Sequence, residues 1–149
     1  VVGYVAAGVK EGATLVVDGR VQSFNGEPNG FWLGPTLFDN VTTEMSIYKE
    51  EIFGPVVAVL PFEDEADAIE KANDSIYGLS GSIYTSNLGK ALRVSRAVET
   101  GNLSVNSHSS VRYWTPFGGY KQSGLGRALG PDSLDMYTET KNVFFNTES

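Results

Sequence analysis

Apolar and polar positions alternate along this chain in blocks whose period changes several times. In the opening stretch "VVGYVAAGVKEGA", Val1, Val2, Val5 and Val9 fall with Tyr4 near one helical face, and Gly12 follows as a helix end. No Ser, Thr, Asp or Asn stands before that face to cap it. A helix with an end and no beginning reads as part of something larger. "TLVVDGR" (14–20) predicts a short strand running into an Asp-Gly turn. "SFNGEPNGFWLGP" is loop punctuation around Phe31 and Trp32, "TLFDNV" reads as a strand, and "EMSIYKEE" as a short helix or turn. "VVAVLPF" (56–62) is a continuous β-branched run, expected as a strand buried on both faces. "DEADAIEKANDS" carries acids in its first turn and Ala66, Ile69 and Ala72 on one face, which predicts a helix. "YGLSGSIYT" reads as one strand, "NLGKALRVSRAVETG" as a helix from near Asn87 to Gly101, and "NLSVN" (102–106) as a further strand. A glycine-rich stretch, "TPFGGYKQSGLGRALG", precedes a helix "GPDSLDMYTETK" with Pro131 in its first turn and a final strand "NVFFN".

Strand, helix, strand, helix, strand with short connections is the pattern of an α/β fold: a parallel sheet with flanking helices. No internal repeat or low-complexity segment interrupts it. The 149 residues are 41% hydrophobic and 19% charged, which fits one ordinary globular domain with a real core. A net charge of -7 argues against nucleic acid as a partner. No apolar run approaches the roughly 20 residues of a membrane span, and no leader pattern opens the chain. The Asn-x-Ser/Thr triplets at Asn40, Asn73 and Asn102 read as chance, and the expected compartment is the cytoplasm. There is no cysteine, so this chain holds no disulfide, thiolate metal site or cysteine nucleophile.

Five of the 17 glycines fall between Thr115 and Gly130, which calls for sharp bends or close backbone approach. The stretch is not a Walker loop, because Lys121 is followed by Gln122. Gly124, Gly126 and Gly130 miss the dinucleotide fingerprint by one residue, and no apolar strand leads into them. A tight surface loop feeding a helix is the reading that pattern alone favours. His108 lies among serines without a nucleophile elbow around any of them, so neither catalysis nor metal binding is expected of it. Most carboxylate pairs, such as Glu63 with Asp64, read as helix-start charges. Glu51 is different: it stands against "IFGPVV", where a polar group meets a core strand and can accept hydrogen bonds from a ligand.

"KEEIFGPVVAVLPF", "ANDSIYGLSGSIYTSN", "GNLSVN" and "PFGGYKQSGLGR", in this order and spacing, resemble the C-terminal part of an NAD(P)-dependent aldehyde dehydrogenase. The resemblance runs from the first helix to the strand at Phe145. It implies oxidation of an aldehyde to an acid: a cysteine thiolate attacks the carbonyl, hydride passes to the nicotinamide, and a glutamate-activated water releases the product. In the family that cysteine and glutamate, with the domain that binds most of the NAD or NADP, lie upstream of the part matched here. The resemblance therefore places no catalytic residue in this chain. It implies residues 1–140 as part of the catalytic domain, and 141–149 as a terminal strand that joins subunits into dimers or tetramers.

Residue by residue, the resemblance implies cofactor binding by Glu51, on the nicotinamide ribose, and by Phe53, on the nicotinamide side. A ribose diol offers two hydroxyl donors, and one carboxylate can accept both. Ser107, Ser109, Val111 and Phe117 match positions lining the aldehyde tunnel, with Trp114 and Tyr113 as further aromatic surface. The glycine stretch becomes a pocket wall in which Gly118 and Gly119 let the chain turn tightly behind Phe117. Two positions depart from the family. Ala128 stands where many relatives have Glu, and Val111 where some have an aromatic ring. A wall of this kind can take an aliphatic aldehyde or hold a cationic one, and "YWTPFGGYKQSG" resembles the betaine-aldehyde and aminoaldehyde branch, which favours the cationic aldehyde over the plain one. A self-standing binding or assembly module, pairing through its terminal strand, is the alternative reading.

Overall fold

One valine of the first helix, Val5, shares a core with Phe38. In the computed structural model, which describes residues 1–21, 30–108 and 111–147, the chain divides into two units, Val1–Asp67 and Ala68–Ser149. In the first unit, helix α1 (Val2–Glu11) buries Val5 and Gly8, while Val2 and Val9 stay exposed. The buried stripe is thus an i, i+3 pair rather than the whole valine face. Gly8 belongs in it because a Cβ there would lie 2.9 Å from Ile47 and 3.0 Å from Phe38. Gly12 ends α1 in the left-handed region at φ 100°, as its position predicts.

Strands β1 (Thr14–Val17), β2 (Thr36–Asp39) and β3 (Val56–Ala58) form one sheet in that order, β1 antiparallel and β3 parallel to β2. Phe38 pairs Leu15 on one side and Ala58 on the other, and its ring is fully buried with Val5, Val41, Met45 and Ile47. Truncating it to Ala should cost about 3–5 kcal/mol. The run at 56–62 is not buried on both faces. Val56, Ala58 and Leu60 pack on the core, whereas Val57 and Val59 are exposed, because only one face of β3 has this unit's core against it. Helix α2 (Ser46–Lys49) is a single turn whose first N–H is capped from α1, with Glu11 accepting from both the N–H and the hydroxyl of Ser46.

Helix α3 (Glu65–Asn73) spans the division between the units. Its expected apolar face is not realised, since Ala66 and Ala72 are exposed and only Ile69 is half-buried. Polar bonds at its end fix it instead: the Asn73 amide donates to Ala97 O and accepts from Glu99 N, and Lys121 donates to Asn73 O.

In the second unit, "YGLSGSIYT" is two strands. β4 (Tyr77–Gly78) pairs antiparallel with β7 (Tyr120–Lys121), and β5 (Ser80–Ile83) pairs parallel with β6 (Asn102–Val105). The change of partner falls at Leu79, whose carbonyl accepts from both the backbone and the side chain of Asn102. Helix α4 (Leu88–Ala97) makes the crossover, starting where Asn87 accepts from Lys90 N. It ends at Ala97 with Val98 as its cap, rather than being closed by Gly101, and Glu99 N turns to the Asn73 side chain. The α/β class holds in the parallel pairs β2–β3 and β5–β6, to which the two antiparallel pairs are additions. Gly130 and Pro131 open a 3-10 helix, Pro131–Tyr137, in place of the expected α-helix. "NVFFN" forms no ladder among the described residues, since no other described segment pairs with it; Val143, Phe144 and Phe145 are exposed. Among the described residues no helix is long and apolar enough to cross a membrane.

Candidate active site

Glu51 and Phe53 stand on a short link in the first unit that is fixed at both ends. Before it, Glu50 leaves α2 with its N–H on Ser46 O, and its carboxylate accepts the Tyr4 hydroxyl at 2.6 Å. After it, Pro55 O accepts Thr36 N where the β2–β3 ladder begins. Between these anchors the chain alternates: Ile52 packs on the core, and Glu51 and Phe53 point outward. Glu51 makes no hydrogen bond or ion pair with another described residue, so both carboxylate oxygens are open to a ligand's donors. Phe53 is 88% exposed and sits at φ 50°, a left-handed conformation that is costly for a bulky side chain. Backbone strain there presents an aromatic face instead of burying it.

The remaining candidates belong to the second unit. Ser107 emerges past the C-terminal end of β6, the end of a parallel pair where α/β folds place ligands. Its approach is set by Asn106, at φ 52°, whose amide donates to Thr85 O and accepts from Thr85 N. Ser109 lies outside the described residues. Val111 is half-exposed, and Arg112 folds back to donate to its carbonyl. Tyr113 and Trp114 form an edge-to-face pair with centroids 4.6 Å apart, and both rings are open to solvent. Phe117 is half-buried and is held by a two-bond bridge with Ala128, Phe117 N to Ala128 O at 2.7 Å and the reverse at 2.8 Å. Gly130 N donates to Tyr113 O, so the aromatic pair and the Phe117 bridge share one closed loop.

The glycines of this loop act in two ways. Gly124, Gly126 and Gly130 take positive φ, whereas Gly118 and Gly119 do not and serve close approach. A Cβ on Gly118 would press on Gly126 O and the Arg127 side chain, and one on Gly119 on Ser123. The expectation of a tight turn behind Phe117 is therefore corrected to a tight contact behind it. Arg127 fills that space, its guanidinium donating to Gly119 O and Gly126 O and lying 5.3 Å from the Tyr120 ring centroid. The sequence did not single out Asn102, Asn106 or Arg127. Their bonds go to backbone groups, which leave no residue pattern to read.

The aldehyde dehydrogenase family model matches residues 1–143. An aldehyde dehydrogenase of Davidiella tassiana is 44% identical over 140 residues, covering 94% of this chain and 27% of that protein. A betaine aldehyde dehydrogenase of Bacillus subtilis is 42% identical over 145 residues, covering 97% and 30%. Among solved structures, betaine aldehyde dehydrogenase from Staphylococcus aureus, a point mutant in complex with NAD+, superposes with a TM-score of 0.91 at 41% identity, over 99% of this chain and 30% of that one. An aldehyde dehydrogenase of Mycobacterium tuberculosis complexed with NAD+ gives 0.87 at 43% identity, over 99% and 30%. The chain thus spans less than a third of the length of these relatives. The match runs along nearly the whole length of the chain, and the chain belongs to the aldehyde dehydrogenase family.

Proposed function

We propose that this chain is the C-terminal part of the catalytic domain of an enzyme that oxidises an aldehyde to a carboxylic acid with NAD(P)+. The observation that carries this reading is the family match over residues 1–143 within relatives more than three times as long. Nicotinamide, when bound, supplies the hydride acceptor. Glu51 fits such a ligand as an exposed carboxylate, without a partner among the described residues, able to accept from both hydroxyls of the ribose. Phe53 offers its ring beside it, and the fixed link between α2 and β3 holds the two in register. Ser107, Val111, Trp114 and Phe117 line the aldehyde's approach, and the resemblance assigns Ser109 to the same role. The exposed rings and the betaine aldehyde dehydrogenases among the relatives support a cationic aldehyde, held over ring faces.

The nucleophile is a thiolate from outside these 149 residues, which contain no cysteine, and the general-base glutamate lies with it. The segment at 141–149, with its exposed Val143, Phe144 and Phe145, adds a strand to a second copy in a homo-oligomer. The test is direct. The complete enzyme should reduce NAD+ or NADP+ in the presence of aldehyde, and the isolated 149-residue chain should not. Steady NADH formation by the isolated chain would overturn the assignment of the nucleophile.

A further inference from the structure

Asn102 is a polar residue buried to 8% exposure at the first position of β6. Its side-chain amide donates to Leu79 O at 2.9 Å and to Gly118 O at 2.9 Å. A primary amide carries two N–H donors, and here both are used on backbone carbonyls from different segments. The first is the carbonyl where the chain passes from β4 to β5. The second belongs to the residue directly after Phe117. Gly101, next to Asn102, lies so close to Gly118 that a Cβ on it would overlap the Gly118 carbonyl. The peptide that follows Phe117 is therefore set by Asn102 in direction and by Gly101 in distance.

We propose that Asn102 is a positioning residue that sets the Phe117 wall, and with it the choice among aldehydes, without touching the aldehyde itself. This rests on the reading of Phe117 as part of the aldehyde site. The Phe117–Ala128 bridge fixes the ring's backbone from one side, and the Asn102–Gly118 bond fixes it from the other. Without the amide, the partly buried Gly118 O loses its side-chain donor, and the segment shifts to find a new partner. Small displacements of a substrate-facing group have large kinetic effects.

The experiment compares wild type, Asn102→Asp and Asn102→Thr in the complete enzyme. The aspartate has nearly the same shape but presents oxygen to both carbonyls. The threonine keeps one donor. Readouts are kcat/KM for a compact and a bulky aldehyde, KM for NAD+, and hydrogen exchange of segment 115–123. Expected in Asn102→Asp are a change of about ten-fold in the ratio of the two kcat/KM values, an NAD+ KM within two-fold of wild type, and faster exchange in 115–123 with α4 unchanged. Asn102→Thr should fall between, and it carries the comparison alone if the aspartate variant does not fold. An unchanged ratio, or an equal loss for both aldehydes, overturns the proposal. If wild type oxidises no aldehyde, the functional reading fails; unchanged exchange in 115–123 then overturns the clamp separately.

Discussion

Gly101 lies flat against the carbonyl of Gly118, with no room for a Cβ between them. The contact joins the start of β6 to the residue after Phe117, across 17 residues of sequence (118 minus 101). Backbone cannot give way as a flexible side chain can, so any side chain here must push the two segments apart.

Gly101→Ala should therefore destabilise the protein by about 1–3 kcal/mol. Gly3→Ala makes the contrast: Gly3 lies inside α1 with nothing within 4 Å of a Cβ, so the substitution should stabilise by about 0.5–1 kcal/mol. Denaturant unfolding of both variants checks the pair. A neutral Gly101→Ala would mean that the approach is not held in solution.

Phe53 offers a separation of strain from function. Its left-handed backbone costs about 1–2 kcal/mol, and its exposed ring returns little packing energy in this chain. Phe53→Gly relieves the strain against a smaller entropic loss, for a net gain of about 0.5–1 kcal/mol. Phe53→Ala removes the ring but keeps the strain, and should gain nothing. Both should weaken cofactor binding, measured by titration of NAD+ alongside thermal unfolding. Equal stability of the two variants would remove the strain argument.

Glu51→Gln keeps shape and exposure but loses charge and half of the accepting capacity. Hydride transfer in single-turnover measurements should slow by about ten-fold or more, while total cofactor affinity falls by less, because the adenine half is held elsewhere. Unchanged single-turnover rates would take Glu51 out of the site.

Local signals in the sequence were legible where chemistry is local. The left-handed end at Gly12 and the cap at Asn87 each follow from one residue's own conformational preference, and Pro131 marks a helical start although the helix is 3-10 rather than α. Glu51 stood out as an acid beside a Gly-Pro turn, whereas Phe53 was reached only through the family resemblance, because an exposed ring leaves no pattern of its own. What could not be read were decisions made over distance. Asn102 splits an apparent strand at Leu79 through bonds spanning 23 residues, and it reaches Gly118 across 16. Gly101 looked like a helix end, but α4 is capped three residues earlier and the glycine serves the contact with Gly118. Residue type was right there, and its partner was invisible.

Asp18 and Arg20 give a pH-dependent prediction in the first unit. The Arg20 guanidinium donates to both Asp18 carboxylate oxygens, at 2.8 and 2.7 Å, and its backbone N–H adds a third bond. The side-chain bonds hold the Asp18 carboxyl below its ordinary value, chiefly because they favour the charged form. With the folded pKa depressed, the unfolded chain binds the proton first. The stabilisation is present above the ordinary value of 3.8 and is lost as pH falls through the folded one. Asp18→Asn should lower the unfolding midpoint slightly at neutral pH, and the deficit should close in acid. A deficit that stayed constant into acid would assign it to geometry rather than charge.

Trp114 tests the substrate. It stands edge-to-face with Tyr113, and both rings keep exposed surface beside the loop that carries Phe117. A trimethylammonium group over such a ring gains about 0.5–2 kcal/mol, whereas an uncharged group of the same size gains only apolar contact. Removing the ring should then discriminate between them. In Trp114→Ala, kcat/KM for betaine aldehyde should fall about 2- to 30-fold more than for an uncharged aldehyde of similar size, the range that those energies correspond to. The excess should sit in KM, since the ring binds the cation equally in the ground and transition states and takes no part in the reacting bonds. High salt should narrow it only weakly if the cation is desolvated against the ring. Equal losses for both aldehydes would leave Trp114 as packing beneath the loop, and the tunnel as one for aldehydes in general.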